Sequence, residues 1–285
     1  MNDPISKLTL PPGVCDCHMH VYGPADRYPV APTNAIPVPA QATIADYRKA
    51  MTRVGIQRAV IVQPSAYGTD NRCTLDGMKA LGDNARGVAV VDTTVTDAEL
   101  ARLTQAGIRG LRFHMLAGGV LPWEILETMA VRVRPFGWHI QLQMDGRHLP
   151  EREAVLKRLP TELVVDHIGR FFEPVTIEHP GFRTLVRLVE GGRCWVKLSM
   201  PYEASRSGPP HYDDIGVLAK VLIRAAPERM VWASNWPHPN VSQDNRPDDA
   251  VLLRALLAWA RDEATAKRIL VDNPARLYGF DTPIG

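Results

Sequence analysis

The chain has 285 residues, 45% of them hydrophobic, and a formal net charge of +2. Its basic residues are scattered, with no Lys/Arg run that would follow a phosphate backbone, which sets nucleic acid aside as a partner. No apolar run approaches the roughly 18 residues of a membrane span, and Met1 to Pro12 lack the basic start and apolar stretch of a signal peptide. A cytoplasmic protein is expected.

In chain order, Val14 to His20 reads as a first strand ending in His18-Met19-His20. Alternation on a strand places Cys15 and Cys17 on one face, opposite Asp16. Cys73 and Cys194 complete a set of four cysteines, too few for a disulfide framework in a chain this long and expected to be reduced and buried. The proline-rich stretch Pro24 to Pro39 is too irregular for regular structure and has the length of a functional loop or lid. From there helices and strands alternate. Helix Ile44 to Val54 precedes strand Arg58 to Gln63, and helix Asp70 to Leu81 precedes strand Arg86 to Asp92. Asp97 caps a helix to Gln105. Gly107 ends it, and Ile108 to His114 is the next strand.

The second half continues the rhythm. Helix Pro122 to Arg134 leads to strand Trp138 to Met144, and helix Pro150 to Arg158 to strand Glu162 to His167. Helix Phe182 to Glu190 leads to strand Arg193 to Ser199, and helix Tyr212 to Ala225 to strand Arg229 to Ser234. Asp248 to Ala260 and Glu263 to Leu270 are closing helices. Short, continuously apolar strands signal burial on both faces and hence parallel pairing. Eight such units predict a (β/α)8 barrel occupying residues 1–285 as one domain. A doubly wound open sheet is the alternative, but it would more often carry a Gly-rich phosphate turn after an early strand, and none is present.

In such barrels the chemistry gathers at the C-terminal ends of the strands. Those ends carry His18 and His20, Gln63 and Ser65, Asp92, Arg112 and His114, Gln143, His167, Lys197 and Ser199, then Asn235. Asp92 opens a turn and reads as a cap. Lys197 reads as a strand lysine paired to a carboxylate. His18 and His20 lie about 6.5–7 Å apart along one face of a strand, a spacing that lets two imidazoles converge on one ion or one oxyanion. Ser234-Asn235-Trp236-Pro237-His238-Pro239-Asn240 is a stiff loop that presents Asn235 at the end of the last strand.

Several phrases resemble the amidohydrolase superfamily, and within it the branch that holds 2-pyrone-4,6-dicarboxylate lactonase and galactarolactone isomerase. They are Asp16-Cys17-His18-Met19-His20-Val21-Tyr22-Gly23-Pro24, Val165-Asp166-His167-Ile168-Gly169-Arg170 and Trp236-Pro237-His238-Pro239-Asn240. The likeness extends through Ile61-Val62-Gln63-Pro64-Ser65, Tyr67-Gly68-Thr69-Asp70-Asn71 and Gly110-Leu111-Arg112-Phe113 to Asn273-Pro274-Ala275-Arg276-Leu277-Tyr278. It covers nearly the whole chain in one order. For metal-dependent members, the resemblance implies a divalent ion on the first-strand histidines and a last-strand aspartate. For the lactonase branch it implies metal-free work, with histidines polarising a lactone carbonyl.

The chain departs from that pattern twice. Gln143-Met144 stands where a fifth-strand histidine is usual, and Asn235 stands where the family has Asp. An amide is a poorer zinc ligand than a carboxylate, so no metal or other cofactor is expected, zinc being the alternative. The resemblance makes the strand-eight aspartate the general base, a task Asn235 cannot perform. A nucleophile tethered within the substrate needs less activation, since its effective molarity can reach roughly 10⁵–10⁸ M.

The expected activity is therefore isomerisation of a 1,5-lactone of a sugar diacid to its 1,4-lactone, with His18, His20, His167 and Asn235 as the catalytic set. Ser65, Tyr67, Arg112, His114, Gln143, Tyr202, Arg206 and His238 are expected to hold the substrate, Arg112 clamping its carboxylate. A lactone hydrolase in which Asn235 replaces an aspartate, and a non-catalytic sugar-acid-binding barrel, are the alternatives.

Overall fold

The computed structural model describes residues 10–281 apart from 33, 35, 36, 40, 41 and 240. The expectations placed on the first nine residues, on Asn240 and on parts of the proline-rich loop lie outside the described residues. The eight strands are β1 Cys15–Met19, β2 Arg58–Val62, β3 Ala85–Ala89, β4 Ile108–His114, β5 His139–Gln143, β6 Leu163–Val165, β7 Cys194–Leu198 and β8 Met230–Trp232. They pair in parallel in sequence order. Met19 bridges to Trp236, the Asn235 N–H donates to His18 O at 2.9 Å and the His20 N–H to Trp236 O at 2.8 Å. The sheet thus closes through the two stretches that carry His18, His20 and Asn235, as a (β/α)8 barrel.

Helices α1 Ile44–Val54, α2 Arg72–Leu81, α3 Asp97–Gln105, α4 Leu126–Val133, α5 Leu149–Arg158, α6 Pro180–Glu190, α7 Asp213–Ala225 and α8 Asp249–Trp259 follow β1 to β8 in turn. Local chemistry sets their ends. Thr43 and Asp46 form a reciprocal capping box on α1, and Gly55 stops it in a left-handed conformation at φ 84°. Thr96, rather than Asp97, caps α3 by accepting from the Glu99 N–H. Among the described residues no helix is long and apolar enough to cross a membrane.

The lower barrel interior is apolar: Cys15, Cys17, Val60, Val62, Val88, Val164, Trp195 and Val231 pack with Ala275, Leu277, Tyr278 and Phe280. The last four belong to the C-terminal segment around α10 (Asn273–Tyr278), reached through α9 (Glu263–Lys267) and a π-helical turn over Arg268–Asp272. Reading Glu263 to Leu270 as one closing helix missed this plug. The Asn273 side chain anchors it by donating to Pro227 O at 2.8 Å and Met230 O at 2.7 Å. All four cysteines are free and buried.

Strand β1 is irregular where it matters. Asp16 pairs with Ala59 and Met19 with Ile61, so three steps of β1 match two of β2. A bulge of this kind re-aims side chains. Asp16, two residues from His18, faces α1 and takes hydrogen bonds from Tyr47 Oη at 2.9 Å and the Ser234 N–H at 2.9 Å. His18 and His20 turn into the barrel.

Candidate active site

The site has two storeys. In the lower one, strands β1, β5, β6 and β7 bring His18, Gln141, Asp166 and Lys197 together, all four fully buried. Lys197 Nζ donates to Gln141 Oε1 at 2.6 Å and lies 3.3 Å from Asp166 Oδ1 and 3.2 Å from His18 Nδ1. Gln141 Nε2 donates to Asp166 Oδ2 at 3.0 Å. Burial pushes the Asp166 carboxyl upward, but Lys197, His167 and Arg112 outweigh it and hold the group below the usual carboxylate range. Burial pulls Lys197 down while Asp166 opposes. The pairing of Lys197 with a carboxylate matches its sequence reading.

A hydrogen bond assigns the His20 proton. The neutral His20 ring uses Nδ1–H to reach Val62 O at 2.8 Å, so its Nε2 carries no proton and can only accept. His18 Nδ1 lies between Lys197 Nζ at 3.2 Å and Asp166 Oδ1 at 3.3 Å, and its Nε2 lies 3.3 Å from His20 Nε2. Burial, with Arg112 adding repulsion, lowers the His20 pKa to about 3, and burial followed by Lys197 carries His18 well below its ordinary value. Both rings are neutral at pH 7.

The upper storey is a cavity walled by His20, Tyr22, Pro64, Ser65, Arg112, His114, Gln143, His167, Met200 and Asn235, with Pro37 and Pro239 at its rim. Pro37 brings the proline-rich loop to the mouth. Arg112 is fixed by donating to Gln63 O at 2.8 Å and Gln143 Oε1 at 3.0 Å. His167 Nδ1 lies 2.9 Å from Ser199 Oγ, and burial holds its pKa well below the ordinary histidine range. His114 is lowered to about 4, again by burial first and Arg112 second. His167, Asn235 and His238 all take left-handed backbone, at φ 55°, 65° and 59°, a cost of about 1–2 kcal/mol for each non-glycine residue. Such outliers gather where side chains must be aimed.

Several expected site residues stand elsewhere. His18 lies beneath His20, fully buried, and reaches the cavity only through it. Tyr67 Oη accepts from the Gly23 N–H at 3.0 Å and braces the rim. Arg206 is exposed and its backbone N–H caps onto Asp214. Tyr202 and His238 stand behind Asn235 rather than on the wall: Asn235 Nδ2 donates to Tyr202 Oη at 3.0 Å, and Tyr202 Oη lies 3.0 Å from His238 Nδ1. Gln63 binds the loop carbonyls of Gly68 and Asp70 and accepts from Thr74, so its side chain is structural. Asp92 bonds Thr94 in its turn.

Sequence reasoning missed Gln141 and Asp166 as members of the site. Gln141 carried a signal, since it shares a face with Gln143 two residues on. Asp166 carried none beyond its place next to His167.

His18, Asp166 and His167 offer ligand atoms within 4.8 Å of one another, and the 3.3 Å between the Nε2 atoms of His18 and His20 is near the separation of about 3.3–3.4 Å for two nitrogens on tetrahedral zinc. Charge opposes it. Lys197 already occupies the one carboxylate, Arg112 is a second buried cation, and position 235 is a neutral amide. A dication would meet net positive charge in a dry site, so the residues fit one poorly.

The sequence profile of the Amidohydrolase family matches residues 15–280. The chain belongs to the amidohydrolase family. It is 35% identical to a 2-pyrone-4,6-dicarboxylate hydrolase of Comamonas testosteroni over 282 residues, covering 95% of this chain and 92% of that one. It is 36% identical to a D-galactarolactone isomerase of Agrobacterium fabrum over 271 residues, covering 94% and 92%. An apo crystal structure of an Agrobacterium tumefaciens protein superposes with a TM-score of 0.89 at 35% identity, covering 96% of this chain and 98% of that one. This amidohydrolase-family enzyme therefore has relatives that act on lactones by hydrolysis and by isomerisation, at nearly equal distance.

Proposed function

We propose that the chain is a lactone isomerase that interconverts 1,5- and 1,4-lactones of a sugar diacid. One observation carries the reading: among the described residues, no carboxylate lines the cavity. Water attack on a lactone calls for a base, and Asn235 occupies the end of β8 where a carboxylate would serve. The wall offers neutral imidazoles and one guanidinium instead, a set suited to a nucleophile that the substrate carries.

Arg112 binds the free carboxylate of the substrate. A ring-flanking hydroxyl attacks the lactone carbonyl carbon and passes its proton to Nε2 of His20, which gives up its contact with His18, as the new C–O bond forms. His167, across the cavity, faces the tetrahedral oxyanion. The original ring C–O bond then breaks, and its alkoxide takes the proton back from His20. Water is neither consumed nor released, and the enzyme ends as it began. The test is NMR of a 1,5-lactone of an aldaric acid mixed with the enzyme. The 1,4-lactone is expected as the first product, and ring-opened acid as the main early product would overturn the reading in favour of a hydrolase.

A further inference from the structure

Behind Asn235 runs a buried hydrogen-bond chain. Asp249 Oδ1, on the first residue of α8, lies 3.0 Å from His238 Nε2. His238 Nδ1 lies 3.0 Å from Tyr202 Oη, and Tyr202 Oη lies 3.0 Å from Asn235 Nδ2. Asn235 Nδ2 also touches Met200 Sδ at 2.9 Å. Asp249 and His238 are 6% and 2% exposed, so solvent does not compete for the bond between them.

We infer that Asp249, His238 and Tyr202 are positioning residues that lock the Asn235 amide with its nitrogen inward, so that the cavity meets the Asn235 carbonyl oxygen and the enzyme selects substrates bearing a hydroxyl donor there. The direction follows from what each group can do. A carboxylate only accepts, so the ring proton of His238 sits on Nε2 facing Asp249, and Nδ1 is the acceptor facing Tyr202. Tyr202 supplies that hydrogen from its phenol, which burial keeps protonated. The phenol has then spent its one hydrogen, and its oxygen accepts from Asn235 Nδ2–H. Oδ1 is left for the ligand. An unfixed amide would present either end with similar ease; here three residues decide it from as far away as α8. This rests on the isomerase reading only in naming the ligand as a polyhydroxylated lactone.

The test uses the full-length enzyme labelled with ¹⁵N-asparagine, with the Asn235 side-chain amide assigned by its loss in Asn235→Ser. Tyr202→Phe removes only the phenol oxygen. Asp249→Asn removes the carboxylate that fixes the His238 tautomer while leaving Asn235 and Tyr202 in place. Both variants are expected to move or double the Asn235 amide resonance while other side-chain amides stay put. Tyr202→Phe is expected to lower kcat about tenfold, the worth of one hydrogen bond, with KM held within about threefold, the pattern of a contact made in the transition state. An unmoved Asn235 resonance in both variants overturns the inference whatever the kinetics, and so does a Tyr202→Phe effect confined to KM. If the wild-type enzyme turns over no aldarolactone, the isomerase reading falls by itself, and the resonance still decides the orientation of Asn235.

Discussion

Asn235→Asp is the sharpest perturbation available, because it exchanges an amide for a carboxylate of the same shape at a 5% exposed position. The new carboxylate would face Tyr202 Oη across the present 3.0 Å contact, and the phenol would have to turn its hydrogen from His238 to the carboxylate. Burial raises the acid's pKa, while that hydrogen bond and the nearby Arg112 lower it, so an ionised base near neutral pH is the expected outcome. A positioned general base contributes about 10²–10⁴-fold, or roughly 2.7–5.5 kcal/mol of barrier. At saturating lactone, the variant should therefore form ring-opened acid at least about 100 times faster than the wild type. The assay is a proton NMR time course with a parallel run in ¹⁸O water, which labels the acid only when solvent attacks. A folded Asn235→Asp enzyme that binds lactone yet gains less than about tenfold in hydrolysis would refute the idea that position 235 lacks the base.

Three other outcomes follow from the same geometry. His20→Gln removes the accepting imidazole nitrogen and should lower isomerase kcat by about 10²–10⁴-fold; steady-state kinetics retaining more than a tenth of the activity would clear His20 of proton transfer. Stability should fall between pH 6.5 and 5, because His20 and His139 have folded pKa values near 3 against an ordinary 6.5, so the unfolded chain takes up their protons first. That is about 2 kcal/mol per histidine at pH 5. Asp16, raised by burial to about 6, works the other way and regains about 1.4 kcal/mol; these three groups leave a loss of about 3 kcal/mol, to which His114, His18 and His167, also lowered by burial, add, and equal stability at pH 7 and 5 in urea melts would refute it. Lys197→Met should strip Asp166 of its counter-ion and destabilise the fold by about 3–5 kcal/mol, and adding Asp166→Asn should recover part of the loss in the same melts.

How far the sequence carries depends on how local the cause is. The barrel was legible because each strand is an apolar run bounded by its own caps and glycines: helices Ile44–Val54 and Asp97–Gln105 and strand Ile108–His114 fall where periodicity places them. The ends of β1 and β8 meet, as closure of a (β/α)8 barrel requires. What stayed hidden depends on register between distant strands. The β1 bulge, which parts Asp16 from His18, needs the pairing with β2 to be seen. The Lys197–Asp166–Gln141 cluster joins three strands at one level of the barrel, a coincidence set by strand stagger. Tyr202 and His238 were placed on the substrate because they belong to loops at the mouth, and loop membership does not say which side of Asn235 they occupy. The C-terminal plug was obscured by the π turn that interrupts its helical period.

The neutrality of position 235 also ties reaction type to binding. Below the cavity, Lys197 and Asp166 cancel one another. Around it the imidazoles are neutral, so Arg112 is the unbalanced charge of the wall. The cavity is thus built for one anionic group, and a dry setting strengthens that attraction. A carboxylate at position 235 would cancel the charge. With a substrate carboxylate roughly 6 Å away and an effective dielectric constant near 20, the added repulsion is about 2–3 kcal/mol, an approximately 30- to 150-fold weaker KM. An aspartate there therefore brings water chemistry at the expense of grip, and a hydrolase that carries one needs further cations to hold the same acid. This chain has neither the aspartate nor a second guanidinium on the described wall, and under the isomerase reading the two absences agree, since an enzyme that does not use water can keep a single arginine.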